Sequence, residues 1–263
     1  MPIWNDGEAA NPCFGDTVNK LKNKKTVFKL NKYIKEDTIV KPMLAPSIMC
    51  ADLLNLEREI RLLEEAKVEL IHFDVMDTTF TTTTTMLPPM LISAINKITN
   101  IPVDIHVMID KPQRIIDYLL PYCKGNYISF HTETTIELMG LIKKAKDAGA
   151  KVGAALNYAT SLSAIEEVLP SLDFLLLILG NGGTGPRIDL DAQLLHKISR
   201  ARKMLDDAGC EHVPISVDGG VSFEVAKKTM EMGANIFVLG TKSIYNKENS
   251  VVEQCNAFRA YLS

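Results

Sequence analysis

The run LIHFDVMD, residues 70–77, sets an imidazole and two carboxylates inside a stretch that otherwise reads as buried strand. Leu70, Ile71, Phe73, Val75 and Met76 are apolar; His72, Asp74 and Asp77 are not. An ionised carboxylate taken out of water without a partner is costly, so the rest of the chain must bring partners to His72 and Asp74. A second run, VDIHVMI at 103–109, carries Asp104 and His106, and PISVDGG at 214–220 places Asp218 at an expected strand end, before two glycines. Side chains at i and i+2 of a strand point the same way. His72 and Asp74 therefore share one face, as do Asp104 and His106. Brought together, His72, Asp74, His106 and Asp218 would make a ligand set for a divalent transition metal. Such an ion would neutralise both carboxylates and keep the histidines neutral. Taken singly, His72 could be a hydrogen-bonded core histidine and Asp218 a turn residue.

Convergence of this kind needs a scaffold that carries distant strands to one mouth. From Met43 onward, short apolar runs alternate with amphipathic helical patterns,. The spacing predicts strands at 43–48, 70–76, 103–109, 127–132, 151–157, 174–180, 214–220 and 235–241. Between them LLNLEREIRLLEEA, TIELMGLIKKAKDAG, LDAQLLHKISRARKMLDDAG and FEVAKKTMEMG show helical spacing, and three of these end in Gly, a favoured residue just past a helix end,. Eight strands, each followed by a helix, predict an α/β fold of the (β/α)8 or TIM-barrel type, whose chemistry sits at the C-terminal strand ends. An open doubly wound sheet would also alternate, but no G-x-G-x-x-G follows the first strand.

Residues 1–42 are expected to form an N-terminal extension and 43–263 the barrel. The extension holds seven lysines between residues 20 and 35, which read as a solvated segment or, alternatively, a phosphate-binding arm. A net charge of -3 argues against nucleic acid as a partner,. The longest clean apolar run, FLLLIL at 174–179, is too short to span a bilayer,. The opening MPIWNDGEAANP lacks the pattern of a secretory signal,. Five scattered cysteines form no C-x-x-C pair and suggest neither a zinc cluster nor a disulfide framework,. A reducing, cytoplasmic compartment is expected.

A phosphorylated substrate would need backbone N–H groups in glycine-rich turns. GNGGTGPR (180–187), DGGVS (218–222) and LGTKS (239–243) qualify, each of which could equally be a tight turn.

LAPSIMCADL (44–53), IHFDVMD (71–77), DIHVMI (104–109) and VDGGVS (217–222) together resemble the signature blocks of the ribulose-phosphate 3-epimerase family, over about residues 43–262. The resemblance implies one divalent ion (zinc, ferrous iron, manganese or cobalt) on His72, Asp74, His106 and Asp218. It implies Asp74 and Asp218 as the acid/base pair that inverts C3 of D-ribulose 5-phosphate or D-xylulose 5-phosphate through an enediolate. It places Ser47 near the substrate, Met76 and Met108 as an apolar floor, and Gly219, Gly220, Gly240 and Thr241 in the phosphate-binding loops. It also implies a homo-oligomer. Two loops depart from the family. Where it reads close to MDGHFVPN, this chain has MDTTFTTTTTMLPP, with Thr83 at the asparagine position; where it reads NPGFGGQ, this chain has GNGGTGPR. In the latter, Gly183 and Gly185 remain, Pro186 removes an N–H, and Arg187 could pair with phosphate. The third family methionine, expected on strand 6, is absent from FLLLIL. These departures keep open a six-carbon ketose phosphate such as allulose 6-phosphate. A decarboxylase or aldolase of the related barrels is argued against by DVMD, which has no lysine between its aspartates. A non-catalytic sugar-phosphate-binding barrel would show a broken ligand set, and the set is complete.

Overall fold

The computed structural model of the chain describes residues 41–81, 87–180, 192–246 and 249–263. The N-terminal lysines, Thr83 and the 181–191 stretch with Gly183, Gly185, Pro186 and Arg187 lie outside the described residues.

Eight parallel strands follow one another: β1 (Met43–Pro46), β2 (Ile71–Met76), β3 (Val103–Met108), β4 (Tyr127–His131), β5 (Lys151–Leu156), β6 (Phe174–Ile178), β7 (Ile215–Val221) and β8 (Ala234–Leu239). Each pairs with the next from β2 round to β8, and β8 pairs with β1. One seam remains, between β1 and β2. There a single parallel bridge joins Ser47 to His72, and the Leu70 N–H donates to the Leu44 carbonyl at 3.2 Å. The result is a nearly closed (β/α)8 barrel with His72 on its seam.

The strands are apolar on both faces because both are covered. Phe73, Val75, Ile105, Val107, Ile128 and Phe130 belong to the core between barrel and helices. The alternate residues point inward. Ala45, Leu70, Ile236 and Val238 form one interior cluster; Ala155, Phe174, Leu176 and Ile178 form another. Tyr127 packs on both. Nearer the C-terminal ends of β2, β3, β4 and β7, the inward positions turn polar.

The helices are α1 (Leu56–Glu65), α2 (Met90–Ile98), α3 (Ile116–Leu119), α4 (Leu138–Asp147), α5 (Ala192–Asp207), α6 (Phe223–Glu231) and α7 (Val251–Leu262). Their existence matches the periodicity, with two departures. After β3 the α-helix is only four residues long, set between 3-10 turns that begin at Pro112 and contain Pro121. After β5 a 3-10 helix, Leu162–Ser171, takes the helix position and contains Pro170. Pro121, which cannot donate the i to i−4 bond, stops the short helix after β3, and Pro170 falls at the end of the 3-10 helix after β5,. Among the described residues no helix is long and apolar enough to cross a membrane.

One position shows how tightly the interior is filled. A Cβ on Gly153 would lie 2.6 Å from the Phe174 ring, which is itself wedged edge-on against Tyr127 with ring centroids 5.5 Å apart. Gly153→Ala should therefore destabilise the barrel by about 1–3 kcal/mol through overpacking, measured by urea unfolding. An unchanged midpoint would show that the Phe174 ring has room to move.

Candidate metal centre

Strand β2 delivers His72 and Asp74 to the interior, and β3 delivers Asp104 and His106 beside them. The register pairs His72 with Asp104 and Asp74 with His106. Strand β7 brings Asp218 from the far side of the seam by a device that the sequence reading missed. Asp218 does not end its strand: β7 continues to Val221. The ladder to β8 jumps from Val217–Phe237 to Val221–Leu239, so residues 218–220 bulge out of it. Gly219 and Gly220 make the bulge possible with φ of +110° and +71°, a region that L side chains avoid. The Asp218 carbonyl is held by the Leu179 N–H at 2.7 Å. A bulge re-aims the side chain it carries, here towards β2 and β3.

Ligand-type atoms of His72, Asp74, His106 and Asp218 all lie within 4.8 Å of one another. Asp74 Oδ1 is 3.1 Å from both His72 Nε2 and His106 Nδ1. Asp218 Oδ2 stands 3.9 Å from the first nitrogen and 3.8 Å from the second. Ser47 Oγ donates to the other Asp74 oxygen at 3.3 Å. Both imidazoles are fully buried, whereas the Asp218 side chain is 23% exposed and so faces the mouth.

Each histidine is braced on its far nitrogen. His72 Nδ1 lies 2.7 Å from Asp104 Oδ2. His106 Nε2 meets His131 Nε2 at 3.0 Å, and His131 Nδ1 meets Glu133 Oε2 at 3.0 Å. Glu133 Oε1 accepts from the Asn157 N–H at 2.8 Å and from the Thr160 hydroxyl. Sequence reasoning placed Asp104 on the right face without giving it a role, and it passed over His131 and Glu133. The signal was there: Ser129 and His131 alternate inward in YISFH just as His72 and Asp74 do in β2.

The electrostatics follow from burial set against neighbours. Burial alone would lower the His72 pKa, but the carboxylates of Asp74 and Asp104 hold it well above the usual imidazole value. Burial would raise Asp74, yet His72 and His106 hold it below the carboxylate range. Asp218 goes the other way: burial, joined by the like charge of Asp74, raises it against the pull of the two histidines. Burial takes His131 down to about 4 despite Glu133. Glu133 itself is held at about 2, because His131, Thr160 and the Asn157 N–H outweigh its burial.

Proton placement shows what the pocket can hold. Asp104 accepts from His72 Nδ1–H, so a neutral His72 turns a bare Nε2 towards Asp74. A bare nitrogen 3.1 Å from a carboxylate oxygen is repulsive unless positive charge stands between them. Two extra protons or one divalent cation would supply it. Nitrogen and oxygen donors in this number and type fit zinc, ferrous iron, manganese or cobalt.

The remaining sequence-predicted residues distribute as follows. Ser47 joins the cluster through Asp74. Met76 and Met108 are register partners at the ends of β2 and β3, both 2% exposed. Gly240 and Thr241 follow β8, where the Gly240 carbonyl accepts from the N–H groups of Ser243, Ile244 and Tyr245 and so coils the loop tightly. Cys50 Sγ lies 3.2 Å from where a Gly240 Cβ would stand, which explains the glycine there.

Fold and donor set define a (β/α)8-barrel protein with two imidazoles and two carboxylates gathered at the strand ends. Among solved structures the fold is similar to a mutant tryptophan synthase alpha-subunit from Pyrococcus furiosus (TM-score 0.60, 13% identity, 85% of this chain and 99% of that one). It is also similar to 3-hexulose-6-phosphate synthase (TM-score 0.57, 18% identity, 85% and 100%). At such identities these show the fold alone. Sequence relatives are more specific. The ribulose-phosphate 3-epimerase of Bacillus subtilis is 35% identical over 207 residues, 78% of this chain and 93% of that protein. The chloroplastic ribulose-5-phosphate-3-epimerase of Arabidopsis thaliana is 37% identical over 216 residues, 81% and 74%. Residues 43–244 match the ribulose-phosphate 3 epimerase family as a whole. The chain belongs to that family.

Asp104 provides a test of the bracing. Asp104→Ala should leave the buried His72 Nδ1–H without an acceptor and cost about 1–3 kcal/mol, read by thermal unfolding of the metal-free protein. Asp104→Asn keeps an acceptor oxygen and should cost less. Equal losses would mean that the hydrogen bond contributes nothing.

Proposed function

We propose that this chain is a metal-dependent ketose-phosphate 3-epimerase that interconverts D-ribulose 5-phosphate and D-xylulose 5-phosphate, with residues 43–263 as its catalytic domain. The observation that carries this reading is the meeting of two carboxylates, one from β2 and one from β7, with two imidazoles inside one 4.8 Å cluster. His72, Asp74, His106 and Asp218 would hold one divalent ion. When bound, that ion supplies Lewis-acid stabilisation of the negative charge that develops on the substrate oxygens.

Inverting a carbon beside a ketone means removing its proton from one face and returning a proton to the other, by way of a planar enediolate. Asp74 and Asp218 reach the site from strands far apart in the ring, so each can serve one face. One takes the C3 proton while the other, protonated, delivers to the opposite face; the reverse reaction exchanges the roles. Ser47, donating to Asp74 Oδ2, holds the Asp74 carboxylate with its other oxygen turned to the two histidines. Met76 and Met108 line the reacting end with soft apolar surface, which keeps water from protonating the intermediate. The substrate phosphate is assigned to the loops that carry Gly219, Gly220, Gly240 and Thr241, with Gly183, Gly185 and Arg187 assigned from sequence alone. The same reading includes a homo-oligomer in the cytoplasm. One observation favours a second substrate: the loops after β2 and β6 depart from the family pattern, and Pro186 removes a donor N–H. A six-carbon ketose phosphate such as allulose 6-phosphate is the alternative.

Proton NMR in D2O tests the reading. Metal-loaded protein with D-ribulose 5-phosphate should place deuterium at C3 and produce D-xylulose 5-phosphate. Asp218→Asn should slow both by roughly 10²–10⁴-fold, the usual share of a positioned acid or base. Exchange on the six-carbon ketose phosphate instead would move the substrate and keep the mechanism. Exchange on neither would overturn the epimerase assignment.

Calorimetric titration of the metal-stripped protein with Zn²⁺ or Co²⁺ should give one ion per chain. Asp74→Asn should weaken that binding strongly, and an unchanged affinity would place the ion elsewhere.

A further inference from the structure

We propose that His131 and Glu133 are positioning residues that act through His106: a carboxylate–imidazole–imidazole relay that fixes which His106 nitrogen is free to bind metal. The inference rests on the metal-bound reading above and extends it to two residues outside the donor set.

The relay is read from three contacts in series. Glu133 Oε2, His131 Nδ1, His131 Nε2 and His106 Nε2 form a continuous line with steps of 3.0 Å and 3.0 Å between residues. The line ends at His106 Nδ1, which faces Asp74 at 3.1 Å and Asp218 at 3.8 Å. The two ring planes are inclined by 27° with centroids 5.1 Å apart, an arrangement that with the 3.0 Å Nε2–Nε2 approach suits an N–H···N bond.

Proton placement along the line then has one solution for neutral rings. Glu133 as a carboxylate can only accept, so His131 carries its proton on Nδ1. His131 Nε2 is then bare and must accept. His106 must therefore carry its proton on Nε2, which leaves Nδ1 bare and aimed into the cluster. The opposite tautomer of either ring would set two protons, or two lone pairs, against each other at 3.0 Å in a fully buried place.

The outer end of the relay is anchored. Glu133 Oε1 is tied to Asn157 N–H and Thr160 Oγ1. That same loop is clasped from α5 by the Lys197 ammonium, which donates to the carbonyls of Asn157, Tyr158 and Thr160 at 2.7, 3.0 and 2.8 Å. The Phe80 ring packs on His131 at 4.7 Å between centroids and keeps water from competing for the imidazole. His72 has the shorter equivalent, a direct bond to Asp104. The two metal-facing histidines are thus held by different routes, and outer partners of this kind commonly govern affinity by 10–100-fold.

The test uses the full chain and two readouts besides turnover. Nitrogen-15 NMR of the Zn²⁺-loaded wild-type protein should show His106 protonated on Nε2 and His131 on Nδ1. His131→Leu should leave His106 as a mixture of tautomers and weaken Co²⁺ or Zn²⁺ binding roughly 10–100-fold by calorimetry. His131→Gln, whose side-chain oxygen can accept from His106, should recover most of that affinity; a purely space-filling role would not distinguish the two variants. Glu133→Gln should weaken binding less than His131→Leu. If His131→Leu fails to fold, the wild-type tautomers and the Glu133→Gln affinity decide the question. In the Zn²⁺-loaded protein, His131 protonated on Nε2, or variants that bind metal as the wild type does, would overturn the relay. Wild-type protein that binds neither metal would instead sink the metal reading on which the relay rests and so deny it this role.

Discussion

Asp74 is a carboxylate almost wholly buried from water. Its compensation organises everything around it. His72 lies two residues behind it on the same strand, His106 stands opposite it on the next strand, and the Ser47 hydroxyl reaches it across the barrel seam. Each of these is held in turn by something further out: His72 by Asp104, His106 by His131 and Glu133, Ser47 by its bridge to the His72 backbone. An uncompensated buried charge costs more than any single hydrogen bond returns. The polar upper part of this barrel is therefore a connected network rather than a set of separate pairs.

The scaffold makes that network affordable. A barrel closed by eight parallel strands has an apolar lower interior, here filled by Leu70, Tyr127, Phe174 and Ile236, which anchors the strands without any help from the site. The polar residues can then be placed for chemistry. The pressure for a close fit shows at Gly153, where the Phe174 ring occupies the space of a side chain. It shows again at the bulge of β7, where two glycines in left-handed conformations turn Asp218 inward. Residues that break a local rule, such as a strand interrupted by two positive-φ positions, stand beside the cluster of buried imidazoles and carboxylates. The proposed epimerisation gives that placement a chemical reason, since inversion at one carbon is served by two proton carriers approaching from different directions.

The two aspartates are chemically identical and electrostatically opposed. Asp74 sits between two imidazoles and is stabilised as an anion. Asp218 lies farther from both, closer to the mouth, with Asp74 as its like-charged neighbour, and is pushed towards its neutral form. A divalent cation would be drawn to both carboxylates and would remove the repulsion between them.

The linear sequence determined a good deal. The alternation of apolar runs with helical periods specified eight strands, most of the helices and the barrel, because strand and helix periods are local properties of the chain. The i, i+2 spacing in IHFDVM and DIHVMI put the four polar side chains of β2 and β3 on inward faces, since a strand alternates whatever it pairs with. Tertiary structure decided what spacing cannot encode. Pro121 stopped the helix after β3 at four residues, and the segment after β5 wound as a 3-10 helix, where the strand–helix alternation had implied α-helices. The bulge at 218–220 was invisible because it is a mismatch between two strands and not a property of either. His131 and Glu133 gained their place only when β4 came to lie beside β3, so that one imidazole met another head to head. A hydrogen bond between residues 25 positions apart depends on the register between strands, and register is fixed by the closed barrel as a whole.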